Sequence, residues 1–550
     1  MIRSAHVDTF ARDHLPPPNQ LPEFLFDLPE LRFPDRVNSV AAFVDDWVAA
    51  GQGNADCLIS PAERLSYTGL AERVNRIANA LTLDLGMVPG NRVLLRGPNS
   101  PMMVAAYFAV IKAGGIVVAT MPLLRAKEIA FPIAKAEIRL ALCDVRLADE
   151  LEKAIPLAPL LDRVVYWGSG AAGSLEALMM KPAYEQFTAC DTASDDVCLI
   201  AFTSGTTGVP KGTMHFHRDM LAICDTFGKH VLRPASHDRF IGSPPIAFTF
   251  GVGGLVLFPL RVGAATVLLE KAAPDDLLPA IGKFRASVCF TAPTAYRYML
   301  GKMADHDLLS LQKCVSAGET LPKATFDAWL EATGIRIIDG LGSTEMLHIF
   351  IGSPPEAMRG GATGTPVPGY EARVIGEAGQ EVAAGVPGRL AVRGPTGCRY
   401  LGDERQAEYV QNGWNVTGDT YVRRPDGYFV YQARSDDMII SAGYNIAGPE
   451  VETVLLTHPA VAECGVVGQP DQDRGQIVKA YVILKDGFTG DAALTRALQE
   501  HVKTTVAPYK YPRAIEYVAG LPRTETGKLR RVELRRIAAE TAAKLVTQGE

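Results

Sequence analysis

The segment Thr203-Ser-Gly-Thr-Thr-Gly-Val-Pro-Lys-Gly212 packs hydroxyls, glycines and one lysine into ten residues after the apolar run Val197–Phe202. Glycine lets a backbone approach closely, and N–H and O–H donors beside one cation are what a loop needs to wrap a polyphosphate. The Walker spacing fails, because four residues separate Gly205 from Pro210, where that pattern needs glycine. Further on, Asp339-Gly-Leu-Gly-Ser-Thr-Glu345 sets a hydroxyl beside a hard carboxylate, a pairing suited to a magnesium nucleotide. Three other segments carry chemistry at wider spacing: Ser316-Ala-Gly-Glu-Thr320, Thr417-Gly-Asp419 and Leu521-Pro-Arg-Thr-Glu-Thr-Gly-Lys528. Other features carry less. His215-Phe-His217 lacks a third metal ligand and reads as structural. Gly251-Val-Gly-Gly254 has no acid placed for a ribose. Arg530–Arg536 reads as a solvated helix face that could also help hold phosphates.

The elements that position these residues alternate. Leu70–Leu85 and Pro101–Gly114 have helical apolar spacing. Short runs at Arg92–Arg96, Gly115–Ala119, Val164–Trp167, Val197–Thr203, Ala265–Leu269, Val288–Thr291 and Ile335–Ile338 read as strands. Strands separated by helical lengths predict layered α/β architecture. After about 361 the pattern changes to short strands and Gly/Pro/Asp turns, at Tyr370–Val374, Gly388–Arg393 and Gly427–Tyr431, a β-rich subdomain. From about 437 it becomes α+β: helix Pro449–Thr457, strands Val461–Val467 and Val478–Lys485, helix Ala492–Val506, and a basic helix Leu529–Ala542. The fold class is thus α/β and α+β multidomain, with a large domain at 1–435 and a small one at 436–550.

The 550 residues exceed what one hydrophobic core organises. A net charge of −6 argues against nucleic acid as partner, so an anionic ligand must be held by local cations and backbone N–H groups. The nine cysteines form no metal-ligand spacing and read as reduced core thiols. The amino end shows no apolar signal region. The apolar stretches 103–121 and 252–269 are interrupted by Lys112, Pro259 and Arg261, and read as buried elements, not membrane spans. These features predict a cytoplasmic protein, monomer or homodimer, with no membrane partner.

The loop at 203–212, and the other motifs in their order, resemble the adenylate-forming superfamily of acyl-CoA synthetases, adenylation domains and luciferases. The resemblance covers nearly the whole chain. It implies ATP, Mg2+ and coenzyme A as cofactors and a two-step reaction through an acyl-adenylate. It implies that Thr203, Ser204, Gly205, Thr206, Thr207, Gly208 and Lys211 close over the β- and γ-phosphates. Gly318 and Glu319, with Asp339, Gly340 and Leu341, would lie along the adenine. Leu341 stands where the family often has tyrosine. Thr344 would contact the α-phosphate and Glu345 hold the metal. Asp419 would accept the ribose hydroxyls, with Arg434 completing those contacts and Tyr431 near the adenine. Asp436 is implied as the hinge, Gly443 as the residue against pantetheine, and Lys528 as the catalytic cation.

Gly342–Phe350 resembles the benzoate-CoA ligase branch, as does Ala507-Pro-Tyr-Lys-Tyr-Pro-Arg513, and Ser4–Arg12 looks like 2-aminobenzoate-CoA ligases. Pocket candidates by position are Phe248, Thr249, Ala317, Gly340, Gly342 and His348, whose small walls, aromatic ring and imidazole suit a small aromatic carboxylic acid. For His348 a core histidine bonded to backbone stands beside the substrate-contact reading. Two rivals stay open: an adenylating enzyme that loads a carrier protein in trans, and a synthetase for a non-aromatic acid.

Overall fold

The computed structural model describes residues 2–203, 209–434, 437–441, 444–471, 474–506, 508–523 and 528–548. Among them four sheets form. The six-stranded sheet runs Arg163–Trp167, Leu140–Asp144, Arg92–Arg96, Ile116–Thr120, Val197–Thr203, Lys211–Phe216 in spatial order. Its neighbours are parallel until the last pair, an antiparallel hairpin in which Thr203 faces Lys211. The phosphate-loop sequence therefore begins and ends on the two strands of a hairpin. In the nine-stranded sheet the parallel centre is built by Ile337–Gly342, Lys313–Ala317, Val288–Thr291, Arg239–Gly242, Ala265–Val267 and Asp56–Ile59.

Parallel strands are covered by helices on both faces, so they read as unbroken apolar runs. Val288–Thr291 and Leu140–Asp144 are buried at every position. Helix Pro101–Lys112 starts where Ser100 accepts from the Met103 N–H at 3.2 Å, with proline in its first turn. It stops at Gly114, whose φ of +80° suits glycine. Lys112, buried at its end, donates to Asp45 and Asn75 at 2.8 Å each. This helix and strand Ile116–Thr120 account for the apolar stretch 103–121. No helix of the described residues is long and apolar enough to cross a membrane.

A third sheet holds Glu371–Ile375, Pro387–Arg393, Trp414–Arg423, Val410–Gln411 and Phe429–Arg434. The fourth joins Tyr444–Ile446, Ile439–Ser441, Gly475–Leu484, Val461–Asp471 and Ala514–Tyr517. Its own core includes Ile446, Val451, Leu455, Val478, Leu498 and Val502, under helices Gly448–Leu455 and Ala492–Thr505.

Two expectations shift. The strand expected over Ile335–Ile338 begins at Ile337 and runs to Gly342, because its far end pairs with Ile349–Gly352. The run Arg530–Arg536 is only partly a solvated face: Arg531 grips Glu452 and Arg535 pairs with Asp437, while exposed Arg536 pairs with Glu533 and Glu540. Helix Arg531–Gln548 is thus pinned down by two of its arginines.

At the amino end, Ser4 and the Ala5 N–H hold the Asp196 carboxylate, and Arg12 lies 3.3 Å from it. Asp196 directly precedes strand Val197–Thr203. Residues 4–12 therefore strap the root of the strand that leads into the phosphate loop.

Candidate active site

In open α/β sheets, ligands gather beyond the carboxyl ends of the strands. Three such ends converge here: Thr203 into the phosphate loop, Ala317 into Gly318-Glu319, and Gly342 into Thr344-Glu345. Ser316 and Ala317 face Asp339 and Gly340 on neighbouring strands, so the two motifs lie side by side.

Glu345 is buried, and its Oε1 accepts from the Tyr400 hydroxyl at 2.6 Å. The same hydroxyl accepts from Lys211 Nζ at 3.0 Å, and the lysine also lies 4.8 Å from the Tyr400 ring centroid. Burial and the Glu345 charge push the Tyr400 phenol far up, so it stays a donor. Thr344 presents its carbonyl to His215 Nε2 at 2.8 Å and to the Leu347 N–H at 3.2 Å. His215 and His217 are thus both engaged: Nδ1 of His217 meets Ser39 at 3.1 Å. Among the described residues no three-ligand metal cluster occurs. One buried carboxylate beside a cation fits Mg2+ held jointly with nucleotide phosphates, the ordinary mode for that ion.

On the nucleotide side, Asp339 is buried, and burial pushes its carboxyl up to about 8 against the Gly340 N–H. Asp419 faces Arg434 across adjacent strands, so the register alone puts the two expected ribose residues next to each other. Tyr431 packs edge-on against Tyr421 at 5.5 Å. Gly318 has φ +90°, and a methyl built on it would lie 3.2 Å from Cε and 3.5 Å from Nζ of Lys528. The lysine from the carboxyl-terminal region therefore lies over the Gly318 turn.

Ionic contacts accompany it. Glu463 pairs with Arg297 at 3.1 Å and with Arg523, whose guanidinium is 3.9 Å from Glu319. Glu319 also accepts from Thr294. Burial lowers the pKa of Arg297, as of a partly desolvated charge.

His348 is almost fully buried, with Phe227, Phe250, Phe258 and Phe290 at 5.7, 5.6, 4.6 and 6.4 Å from its ring. Burial drives its pKa down to about 3, the Phe250 backbone opposing, so the imidazole is neutral. Phe248 is not among those rings; it caps the short helix Thr249–Val252, with Thr249 buried beside it. Gly340 and Gly342 have a reason beyond pocket space: a methyl at 340 would meet the Ile349 side chain at 2.5 Å, and one at 342 the His348 carbonyl at 2.7 Å. Gly253 and Gly254 let their helical turn sit against His348 and Phe290. Ser204, Gly205, Thr206, Thr207, Gly208, Asp436 and Gly443 lie outside the described residues.

The sequence reading missed Tyr400, Phe250 and the Glu463 cluster. Tyr400 belongs to no phosphate-loop pattern, and its signal was only the Arg-Tyr pair following a glycine-rich strand exit.

The hairpin strands that flank the loop, the buried carboxylate, the facing Asp419–Arg434 positions and the overlying lysine fit the class of adenylate-forming enzymes. Residues 45–400 match the AMP-binding enzyme family and residues 450–528 the AMP-binding enzyme C-terminal domain. The chain belongs to the AMP-binding enzyme family. It is 35% identical to a benzoate–CoA ligase of Thauera aromatica over 92% of this chain and 97% of that protein. Its fold is similar to an anthranilate CoA ligase solved with anthranoyl-AMP, with TM-score 0.89 and 35% identity, covering 94% of this chain and 100% of that one. A benzoate CoA ligase from Burkholderia xenovorans LB400 superposes with TM-score 0.82 at 31% identity, covering 90% of this chain and 99% of that one.

Proposed function

We propose that this chain joins a small aryl acid to coenzyme A, with 2-aminobenzoate the preferred acid and benzoate second. The chain is an AMP-forming acid–thiol ligase that works through an acyl-adenylate. A carboxylate is a poor electrophile, so its oxygen first attacks the α-phosphorus of ATP, giving aryl-AMP and pyrophosphate. The thiol of coenzyme A then attacks the mixed anhydride and AMP leaves. Catalysis in the first step is positioning and charge neutralisation, with no covalent enzyme intermediate needed.

The roles are those that the family resemblance implies. Thr203 through Gly208 and Lys211 surround the β- and γ-phosphates. Thr344 donates to the α-phosphate, and Glu345 would hold Mg2+, which when bound would neutralise phosphate charge. Asp339, Gly340, Leu341, Gly318 and Glu319 frame the adenine, with Tyr431 beside it. Asp419 and Arg434 take the ribose. Lys528 delivers its charge where the pentavalent phosphorus and the acyl oxygen become negative. Residues 1–435 form the large domain and 436–550 the small one. The small domain turns about Asp436, withdraws Lys528 and brings Gly443 to the pantetheine arm, a gating use of a hinge. Nine free cysteines, eight of them buried, support a cytoplasmic setting.

The observation that carries the aryl reading is the ring cage around neutral His348, an environment that matches a flat apolar acid. The names of the relatives point the same way. The test is pyrophosphate release, with and without coenzyme A, over 2-aminobenzoate, benzoate, 2-hydroxybenzoate, 4-hydroxybenzoate and octanoate. The highest kcat/KM is expected for 2-aminobenzoate. A preference for octanoate would overturn the aryl reading, and one for benzoate only the ortho-amine.

A further inference from the structure

The segment 398–401 makes an antiparallel bridge to the edge strand Lys211–Phe216: the Met214 N–H donates to the Arg399 carbonyl and the Leu401 N–H to the Gly212 carbonyl, each at 2.8 Å. Consecutive residues of an extended segment point to opposite faces. Here those two faces lead to two consecutive residues of one motif. Tyr400 turns towards Lys211 and Glu345, while Arg399 turns the other way, under the phosphate-loop hairpin.

Arg399 is wholly buried and donates to Asp219 Oδ2 at 2.6 Å. Its guanidinium is sandwiched at 3.9 Å from the Phe216 ring and 4.4 Å from the Phe24 ring. Asp219, equally buried, also accepts from the Phe216 N–H at 3.0 Å and lies 3.7 Å from His215 Nδ1. A carbonyl oxygen can only accept, so His215 Nε2 carries the proton it gives to the Thr344 carbonyl. Arg399, Asp219 and His215 thus pack together beneath the Thr344 backbone, with the Asp219–His215 approach of 3.7 Å longer than a hydrogen bond. The Tyr400 hydroxyl, accepting from Lys211 and donating to Glu345, ties the next residue from the opposite side. The segment is itself fixed: the Gln406 side-chain oxygen accepts from the Tyr400 N–H, and that of Asn415 from the Cys398 N–H, each at 2.9 Å.

We propose that Tyr400 and His215 are positioning residues for the adenylation step, Tyr400 by aiming the Glu345 carboxylate and His215 by holding the Thr344 carbonyl. The proposal rests on the reading that Thr344 and Glu345 serve the magnesium nucleotide. Buried hydrogen bonds of this kind, in a medium of low dielectric, hold their members in one arrangement. Tyr400 also couples the phosphate-loop lysine to Glu345, so that loop and carboxylate are set together before the nucleotide arrives. Neither residue touches the reacting atoms.

The experiment uses the full chain with Tyr400→Phe, His215→Leu, His215→Gln and Glu345→Gln. Calorimetry measures binding of magnesium α,β-methylene-ATP, and two assays measure pyrophosphate release and coenzyme A transfer from supplied aryl-AMP. Tyr400→Phe keeps the ring, and is expected to weaken magnesium-nucleotide binding and slow pyrophosphate release by about ten- to a hundredfold, one charged-group hydrogen bond's worth. Transfer from aryl-AMP and the KM for the acid stay unchanged. His215→Leu lowers kcat for adenylation, and His215→Gln, whose amide N–H can reach the same carbonyl, restores most of it. Tyr400→Phe with native nucleotide binding and pyrophosphate release, beside a Glu345→Gln that loses both, would overturn the proposal alone. A silent Glu345→Gln would overturn the Glu345 assignment and the proposal with it. Equal loss in both half-reactions for Tyr400→Phe and both His215 variants would reduce the network to a structural one.

Discussion

Lys528 and Asp339 show how much a single side chain decides here. With Lys528 lying over Gly318, its charge is proposed to serve the first half-reaction. Lys528→Ala is expected to lower pyrophosphate formation by about a hundredfold or more while coenzyme A transfer from supplied aryl-AMP stays near native; matched assays of the two steps check this. Equal losses in both would remove the assigned role. Asp339 offers a pH signature. Its carboxyl is raised from 3.8 to about 8, so the folded protein holds this proton more tightly than the unfolded chain does. The stability it contributes is complete below pH 4 and is lost as pH rises through 8, at most about 1.4 kcal/mol per unit. Asp339→Asn should therefore raise Tm relative to the native chain at pH 8, and much less at pH 4, in parallel thermal melts. The motif order made both residues legible in the sequence. His215 was legible only as a histidine pair without a third ligand, because its partner is the carbonyl of Thr344, which no local spacing reveals.

At the scale of elements, the short helical turns 249–261 depend on glycine. A methyl on Gly253 would fall 2.3 Å from His348 Cδ2, well inside contact distance. Gly253→Ala is therefore expected to cost about 1–3 kcal/mol by overpacking and to displace the imidazole. Denaturant unfolding should show the loss, and steady-state kinetics should show a raised KM for the acid with the KM for ATP unchanged. A change in the ATP term alone would separate His348 from the acid. The strands of the parallel sheets were readable because burial on both faces leaves continuous apolar runs. Val197–Thr203 and Val288–Thr291 lie where the pattern put them. Register was not readable. That Asp419 faces Arg434, or that Ile337–Gly342 extends to meet Ile349–Gly352, depends on strand pairing that periodicity leaves open. The rings of the cage were hidden likewise: Phe227, Phe258 and Phe290 come from separate elements, and only their shared neighbour His348 marks them as a group.

For the whole molecule, the proposed balance between the half-reactions turns on what holds the carboxyl-terminal region over Gly318. Glu463 bridges Arg297 and Arg523, and the latter approaches Glu319. Glu463→Gln removes the charge and keeps the shape. It is expected to slow adenylation about fivefold, roughly the 1 kcal/mol of a half-buried pair, and to leave coenzyme A transfer unchanged or faster; stopped-flow measurement of each step distinguishes this from a general loss. The amino-terminal strap bears on the order in which the protein is made. Ser4 and its partner Asp196 are 192 residues apart. Translation at about 5–20 residues per second separates their emergence by about 10–40 s. Within that interval Val7 and Asp8 can already meet Pro89, Asn91 and Arg92, but Ser4 and Ala5 lack Asp196 until its end. The root of the phosphate-loop strand is thus fastened by a segment synthesised well before it, and that segment must wait for its partner before the nucleotide site can take its final form.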